Sequence, residues 1–115
     1  MYGVVSPDPK IYGDSGQNNP VNYGAGKAAV LQLTRYCAAH LAKKNIRVNS
    51  VTPGPFPNLK RNVSADFLNN LSNKTMLGRV GKPEEIVGAV ILLASEASAY
   101  MTGSNIVVDG GWTAW

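Results

Sequence analysis

Two stretches of this chain, 23–43 and 83–95, are apolar around nearly their whole girth. That constrains the fold more than anything else in the sequence. In the first, Ala25, Ala28, Ala29, Leu31, Leu33, Tyr36, Ala38, Ala39, Leu41 and Ala42 recur at helical spacing but cover more than one face. The second carries Ile86, Val87, Ala89, Val90, Ile91, Leu92, Leu93 and Ala94. Such helices need cover on two sides, one side from a sheet and the other from a second protein surface, in the first case another helix. Between and after them lie two strand patterns. Residues 46–52 alternate apolar and polar side chains, and 105–109 reads as a second strand. Strands joined through a helix imply a right-handed parallel crossover. Parallel sheets have several strands and are covered on both faces. Two strands cannot cover these helices, so part of the sheet is expected to lie outside this sequence.

The remaining segments read as punctuation. Residues 6–20 are rich in Pro, Gly, Asp, Asn and Ser and form a surface loop. Asn22, or Asn19 ahead of Pro20, is placed to cap the first helix. Pro53-Gly54-Pro55-Phe56-Pro57 stops the first strand and makes a stiff, extended loop. In open parallel sheets, ligands bind beyond the carboxyl ends of the strands, which is where this loop sits. Residues 58–79 read as a mobile flap holding a short helix such as 64–72. Pro83, Glu84 and Glu85 suit the first turn of the second apolar helix. Residues 95–104 read as a loop. Trp112 and Trp115 are placed to anchor the terminus against a neighbour.

The pair that carries chemistry is Tyr23 and Lys27 in Tyr23-Gly24-Ala25-Gly26-Lys27. Positions four apart share a helix face, which sets the phenol beside the ammonium. A free phenol has a pKa of about 10. A neighbouring cation favours phenolate and fits the phenol for proton exchange with a carbonyl or alcohol oxygen near neutrality. Gly24 and Gly26 leave room for a bulky group to approach Tyr23.

Composition excludes several classes. The chain has 115 residues, 44% hydrophobic and 16% charged, which is globular rather than disordered. The net charge of +4 comes from scattered Lys and Arg, and the pairs Lys43-Lys44 and Lys60-Arg61 read as solvated faces, not a nucleic-acid surface. Cys37 is the one cysteine; it reads as a small core residue, and no internal disulfide can form. His40 is the one histidine and has no companion for a metal. No stretch reaches the ~18 apolar residues of a membrane span. No basic-then-apolar leader is present, and the expected setting is cytoplasmic.

Four blocks in fixed order resemble the C-terminal half of a short-chain dehydrogenase/reductase. They are Tyr23-x-x-x-Lys27; Arg47-Val48-Asn49-Ser50-Val51-x-Pro53-Gly54; Gly78-Arg79-x-Gly81-x-Pro83-Glu84-Glu85; and Thr102-Gly103-x-x-Ile106-x-Val108-Asp109-Gly110-Gly111. The resemblance spans essentially all of residues 1–115. It implies an α/β fold, the C-terminal part of a Rossmann-like doubly wound parallel sheet, incomplete as a stand-alone domain. It implies NAD or NADP as cofactor and an alcohol or ketone as substrate. Tyr23 then matches the catalytic acid–base, and Lys27 the lysine that holds the nicotinamide ribose. Pro53, Gly54 and Phe56 match the loop against the nicotinamide. Asn58 stands where the family often has Thr. The family's glycine-rich phosphate loop, its catalytic serine and its active-site asparagine have no counterpart here. Neither Ser6 nor Ser15 takes the serine's role.

Residues 7–19 are longer than the family's usual connection. Within them Tyr12, Asp14, Ser15, Asn18 and Asn19 offer hydrogen bonds to a sugar or sugar acid. The resemblance also implies a homo-oligomer built through the 23–43 and 83–95 helices. Activity is expected to belong to a longer chain. The alternative is an inactive fragment acting only through oligomerisation or partner binding.

Overall fold

The computed structural model describes residues 1–115. Its regular elements are α1 (Val21–Leu41), β1 (Ser50–Pro53), α2 (Ala65–Asn73), α3 (Val87–Ala94) and β2 (Asn105–Val108). Strands β1 and β2 pair in parallel, Ser50 opposite Asn105 through Pro53 opposite Val108. The second edge of β1 pairs with no strand of this chain.

The first helix starts earlier than its pattern predicts, and neither asparagine caps it. Pro20 is the N-cap and supplies no side-chain bond. A proline's fixed φ suits the entry to a helix. The helix ends at Leu41, a short 3-10 turn (Ala42–Lys44) follows, and Asn45 turns the chain left-handed at φ 56°. The second apolar helix also opens as a 3-10 turn, Pro83–Ile86, before becoming α3. There the Lys82 amide donates to the Glu85 carboxylate at 2.8 Å, and Arg79 pairs with the same carboxylate at 2.6 Å. Those bonds hold Glu85 at a pKa of about 2. By contrast Ser64 does cap α2, accepting from the Phe67 amide at 3.3 Å.

Strand β1 is shorter than the alternation over 46–52 predicts, because the polar groups of residues 47–49 are used elsewhere. Arg47 donates to the carbonyls of Leu93 (2.9 Å), Ser95 (3.2 Å) and Met101 (3.2 Å) and to Ser98 Oγ (3.0 Å). It thereby serves the unpaired carbonyls at the end of α3. Asn49 donates to the Met101 carbonyl (2.9 Å) and accepts from the Ser104 amide (3.0 Å). Residues 95–104 are thus a clasp over the entrance to β1, with a 3-10 turn at Glu96–Ser98. Strand β2 stops at Val108 because Asp109 turns to accept from the amides of Gly111 and Thr113 and the Thr113 hydroxyl.

The small core forms in an unexpected place. The loop predicted at 6–20 contains a 3-10 turn, Pro9–Tyr12, that buries Ile11 to 2% exposure against Leu71 of α2 and Trp112. Asn70 donates to the Ile11 carbonyl at 3.2 Å, Lys74 pairs with Asp8 at 2.6 Å, and the Tyr12 and Phe67 rings lie 5.6 Å apart. Helix α2 is therefore fastened to the 8–12 turn. Trp112 is buried as an anchor, and Trp115 donates to the Lys74 carbonyl at 3.2 Å while its ring stays in water.

Within this chain the two apolar helices are not covered. Only Thr34 and Ala38 of α1 are buried, and no residue of α3 is. Leu33 and Ile91 are 58% and 61% exposed. Cys37 is half-buried, not a core residue. A sheet of two four-residue strands offers too little surface to bury either helix. Lys43, Lys44, Lys60 and Arg61 are all exposed, as their patterns predict.

Gly54 fixes how the loop leaves β1. A Cβ at Gly54 would lie 2.5 Å from the Asp109 Cα, a backbone atom that cannot yield. Nothing lies within 4 Å of a Cβ at Gly26. Gly54→Ala should therefore destabilise the protein by roughly 1–3 kcal/mol through overpacking. Gly26→Ala should stabilise it by up to ~1 kcal/mol through helix propensity. Urea denaturation midpoints that move in opposite directions would bear this out.

Candidate active site

Helix α1 and strand β1 enclose a cavity of about 450 Å³ whose lining includes Tyr23, Lys27, Pro53, Gly54 and Phe56. That is within the ~300–1,000 Å³ typical of small-molecule sites. Five of the six residues singled out in the sequence thus meet in one space. The sixth, Asn58, lies outside it. Its Oδ1 accepts from the Lys60 amide at 3.1 Å, so it shapes the 58–61 turn.

Each wall has a local cause. Tyr23 and Lys27 lie one turn apart on α1. The Lys27 ammonium sits over the Tyr23 ring, 5.4 Å from its centroid, rather than at the hydroxyl. Tyr23 is 47% exposed, open to whatever enters the cavity. The segment 1–3 closes one end. It lies tight on α1 because Gly3 has no side chain; a Cβ there would come within 2.6 Å of the Lys27 backbone. Gly24 likewise passes the Tyr2 carbonyl, 3.0 Å from where its Cβ would be, while Gly26 meets nothing within 4 Å. The opposite wall is β1 and its loop. The Thr52 hydroxyl donates to Asn105 Oδ1 at 2.7 Å, tying that wall to β2. Gly81 lets the Phe56 ring lie flat against the 79–82 segment, 2.5 Å from where a Cβ would be.

The sequence pattern did not single out Tyr2 or Thr52 as lining residues, and it marked Asn19 only among five polar residues of the 7–19 segment. Tyr2 and Asn19 arrive from irregular segments, where no periodicity announces a facing direction. Thr52 was legible only as a strand residue.

Tyr2 places a second phenol at the cavity. Burial, reinforced by Tyr12, Asp8 and Tyr23, pushes its pKa up to about 12. It stays protonated at neutral pH and does not exchange protons there. The five polar residues singled out in the 7–19 segment separate. Only Asn19 reaches the Tyr23 cavity. Tyr12, Asp14 and Ser15 line a different cleft, of about 770 Å³, facing residues 61–70. Asn18 lies at a third hollow, over the start of α1, which Asn19 lines as well. His40, on the outer part of α1, stacks on Tyr36 with ring centroids 3.9 Å apart, and among the residues of the chain no cluster of potential metal ligands forms.

With this geometry in view, comparison with known proteins is decisive. The family model described as enoyl-(acyl carrier protein) reductase matches residues 11–113. This chain belongs to the short-chain dehydrogenase/reductase family. It is 38% identical to cis-4-hydroxycyclohexanecarboxylate dehydrogenase of Sinomonas cyclohexanicum, over 97% of this chain and 45% of that protein. It is 41% identical to galactitol 2-dehydrogenase (L-tagatose-forming) of Cereibacter sphaeroides, over 82% of this chain and 38% of that one. A short-chain dehydrogenase of Leptospira borgpetersenii solved with bound NAD+ superposes with a TM-score of 0.87 at 42% identity, covering 97% of this chain and 41% of that chain. The chain spans less than half the length of the curated relatives it matches. Its fold is the corresponding part of the family's Rossmann-like α/β sheet. No helix in it is long and apolar enough to cross a membrane.

The raised pKa of Tyr2 has a readable consequence. A phenol whose folded pKa exceeds its unfolded value of about 10 stabilises the fold fully below pH 10. That contribution is lost as pH rises toward 12. Ultraviolet titration of the wild type against Tyr2→Phe should locate the missing phenolate step near pH 12. A missing step near 10 would contradict this environment.

Proposed function

We propose that residues 1–115 form the C-terminal catalytic half of a short-chain dehydrogenase/reductase domain. The reaction is hydride transfer between a nicotinamide cofactor, NAD or NADP, and an alcohol or ketone. One observation carries this reading: Tyr23 and Lys27 share a cavity with Pro53, Gly54 and Phe56. The residues fit the nicotinamide and ribose end of such a cofactor. Lys27 offers three N–H donors, none bonded to the rest of the chain, on the wall facing a rigid Pro-Gly loop. The cofactor, when bound, gives or takes the hydride.

The chain's own residues do the rest. In the oxidation direction the substrate O–H proton passes to Tyr23 Oη. In the reduction direction the phenol gives its proton to the carbonyl oxygen. Lys27 holds the ribose hydroxyls, and its charge, over the ring face, counters the negative charge Tyr23 carries during the exchange. Tyr2, kept protonated, does not compete for that proton. The Pro53–Phe56 loop, itself the far wall, would face the nicotinamide.

For the substrate we propose a polyol, sugar or sugar acid. Asn19 brings an amide into the cavity, and the galactitol dehydrogenase is among the relatives. The exposed faces of α1 and α3, with Leu33, Tyr36, Val90 and Ile91 in water, support assembly of copies through those helices. The unpaired thiol of Cys37 suits a reducing cytoplasm.

Tyr23→Phe in the protein carrying this chain should lower turnover at least 100-fold, the ordinary weight of a positioned acid–base. Cofactor affinity should change little. Lys27→Ala should weaken both turnover and cofactor binding. Steady-state rates together with NAD(P)H fluorescence titration test this, and near-normal turnover in Tyr23→Phe would refute it.

A further inference from the structure

Asn19 holds an unused amide beside the reacting pair. Its Oδ1 is withdrawn from water and has no hydrogen-bond partner, the one buried side-chain polar atom of the chain in that condition. Its Nδ2 donates to nothing in the chain either. A polar group left this way is destabilising. Capping would be the ordinary use of an asparagine at this point of the sequence, but Pro20 has taken the N-cap position. The residue stands instead between two hollows, lining both the Tyr23–Lys27 cavity and the hollow over the start of α1.

The residue is also held firmly. Its amide N–H donates to Asn18 Oδ1 at 2.8 Å. Pro20 follows and keeps its backbone extended. The Tyr23 amide in turn donates to the Pro20 carbonyl at 3.0 Å, so Asn19 is fixed to the first turn of the helix that carries Tyr23. The bonds fix its backbone and leave the side-chain amide to turn about its terminal torsion, through a broad, two-fold profile. An amide both donates and accepts, and so does an alcohol hydroxyl.

We propose that Asn19 is a specificity-determining residue of this site, its side-chain amide hydrogen-bonding a hydroxyl of a polyol substrate other than the one that reacts. This rests on the oxidoreductase reading and adds to it the residue that reads the substrate. A substrate with one hydroxyl leaves the amide unsatisfied; a polyol satisfies it. Asn19 therefore selects among alcohols and takes no part in proton or hydride movement.

The test compares galactitol with cyclopentanol as substrates of the protein carrying this chain, with NAD+ and with NADP+. The wild type should prefer galactitol by kcat/KM. Asn19→Ala should lower the galactitol-to-cyclopentanol ratio roughly 10-fold, the weight of one hydrogen bond, mainly through KM. Asn19→Asp, which keeps an acceptor, should recover part of it. A second readout needs no turnover. In the 15N-labelled wild type, the side-chain NH2 resonances missing from Asn19→Ala, or from Asn19→Asp, should shift on titration with galactitol and not with cyclopentanol. An equal fall for both alcohols, a wild type that prefers cyclopentanol, or unmoved resonances would overturn the role of Asn19 and leave the oxidoreductase reading standing. No oxidation of galactitol with either cofactor would overturn the polyol assignment and the role of Asn19 with it, whereas the oxidoreductase reading itself stands or falls on NAD(P)H binding.

Discussion

The site depends on the parallel register of β1 on β2, and Arg47 is central to what holds that register. One guanidinium, already positively charged, satisfies three carbonyls and a hydroxyl across residues 93–101. Hydrogen bonds to charged groups are stronger than neutral ones, about 1.5–3 kcal/mol each. The clasp sets where the chain re-enters the sheet at Asn105. From there the register runs without freedom to Pro53 opposite Val108, and Gly54 against the Asp109 backbone. A slip of one residue would turn every side chain of the strand to the other face. It would also take Pro53 and Gly54 away from Tyr23. A loop contact far from the cavity thus decides the cavity's far wall.

The near wall depends on a different kind of contact, the fit of glycine against backbone. Gly3 lets the first residues lie directly on α1 at Lys27, and this brings Tyr2 beside Tyr23. Two phenols then share one space in different surroundings. Tyr2 is partly buried, packs edge-on to Trp112 with ring centroids 6.3 Å apart, and is held protonated. Tyr23 lies open with a cation over its ring. Chemistry is assigned between identical side chains by what surrounds each one.

Much of this was legible in the sequence where the cause was local. The four-residue spacing of Tyr23 and Lys27 is a property of any helix. The stop at Pro53-Gly54 follows from proline's missing donor. The short helix read at 64–72 is α2, Ala65–Asn73. What the sequence hid was non-local. Ile11 sits in a Pro- and Gly-rich segment that looks like surface, yet it is the most buried apolar residue because α2, some 60 positions later, packs over it. The alternation at 46–49 resembled strand, but Arg47 and Asn49 spend their hydrogen bonds on the clasp. Asn58, expected on the cofactor loop, lies outside the Tyr23 cavity and accepts from the Lys60 amide. Asn19 looked like a helix cap, and the proline after it took that place.

The uncovered helices carry the last lesson. Apolar periodicity records what a face requires, not which chain supplies it. The patterns of α1 and α3 demanded burial on two sides, and the two short strands here cannot provide it. Val30 and Leu33 of α1 stay in water, as do Val90 and Ile91 of α3. At about 25 cal/mol per Å² of apolar surface removed from water, each such side chain is worth roughly 1.5–3 kcal/mol when covered. Several of them on one face supply enough to drive association, whether with further strands of the same sheet or with another copy. Not all of this apolar surface faces away from the candidate site: Val30 lines the same cavity as Tyr23 and Lys27, whereas Leu33 and Tyr36 do not. Whatever covers Leu33 and Tyr36 packs on the helix that carries Tyr23 and Lys27. The candidate site and the unmet demand for burial therefore share one 21-residue element.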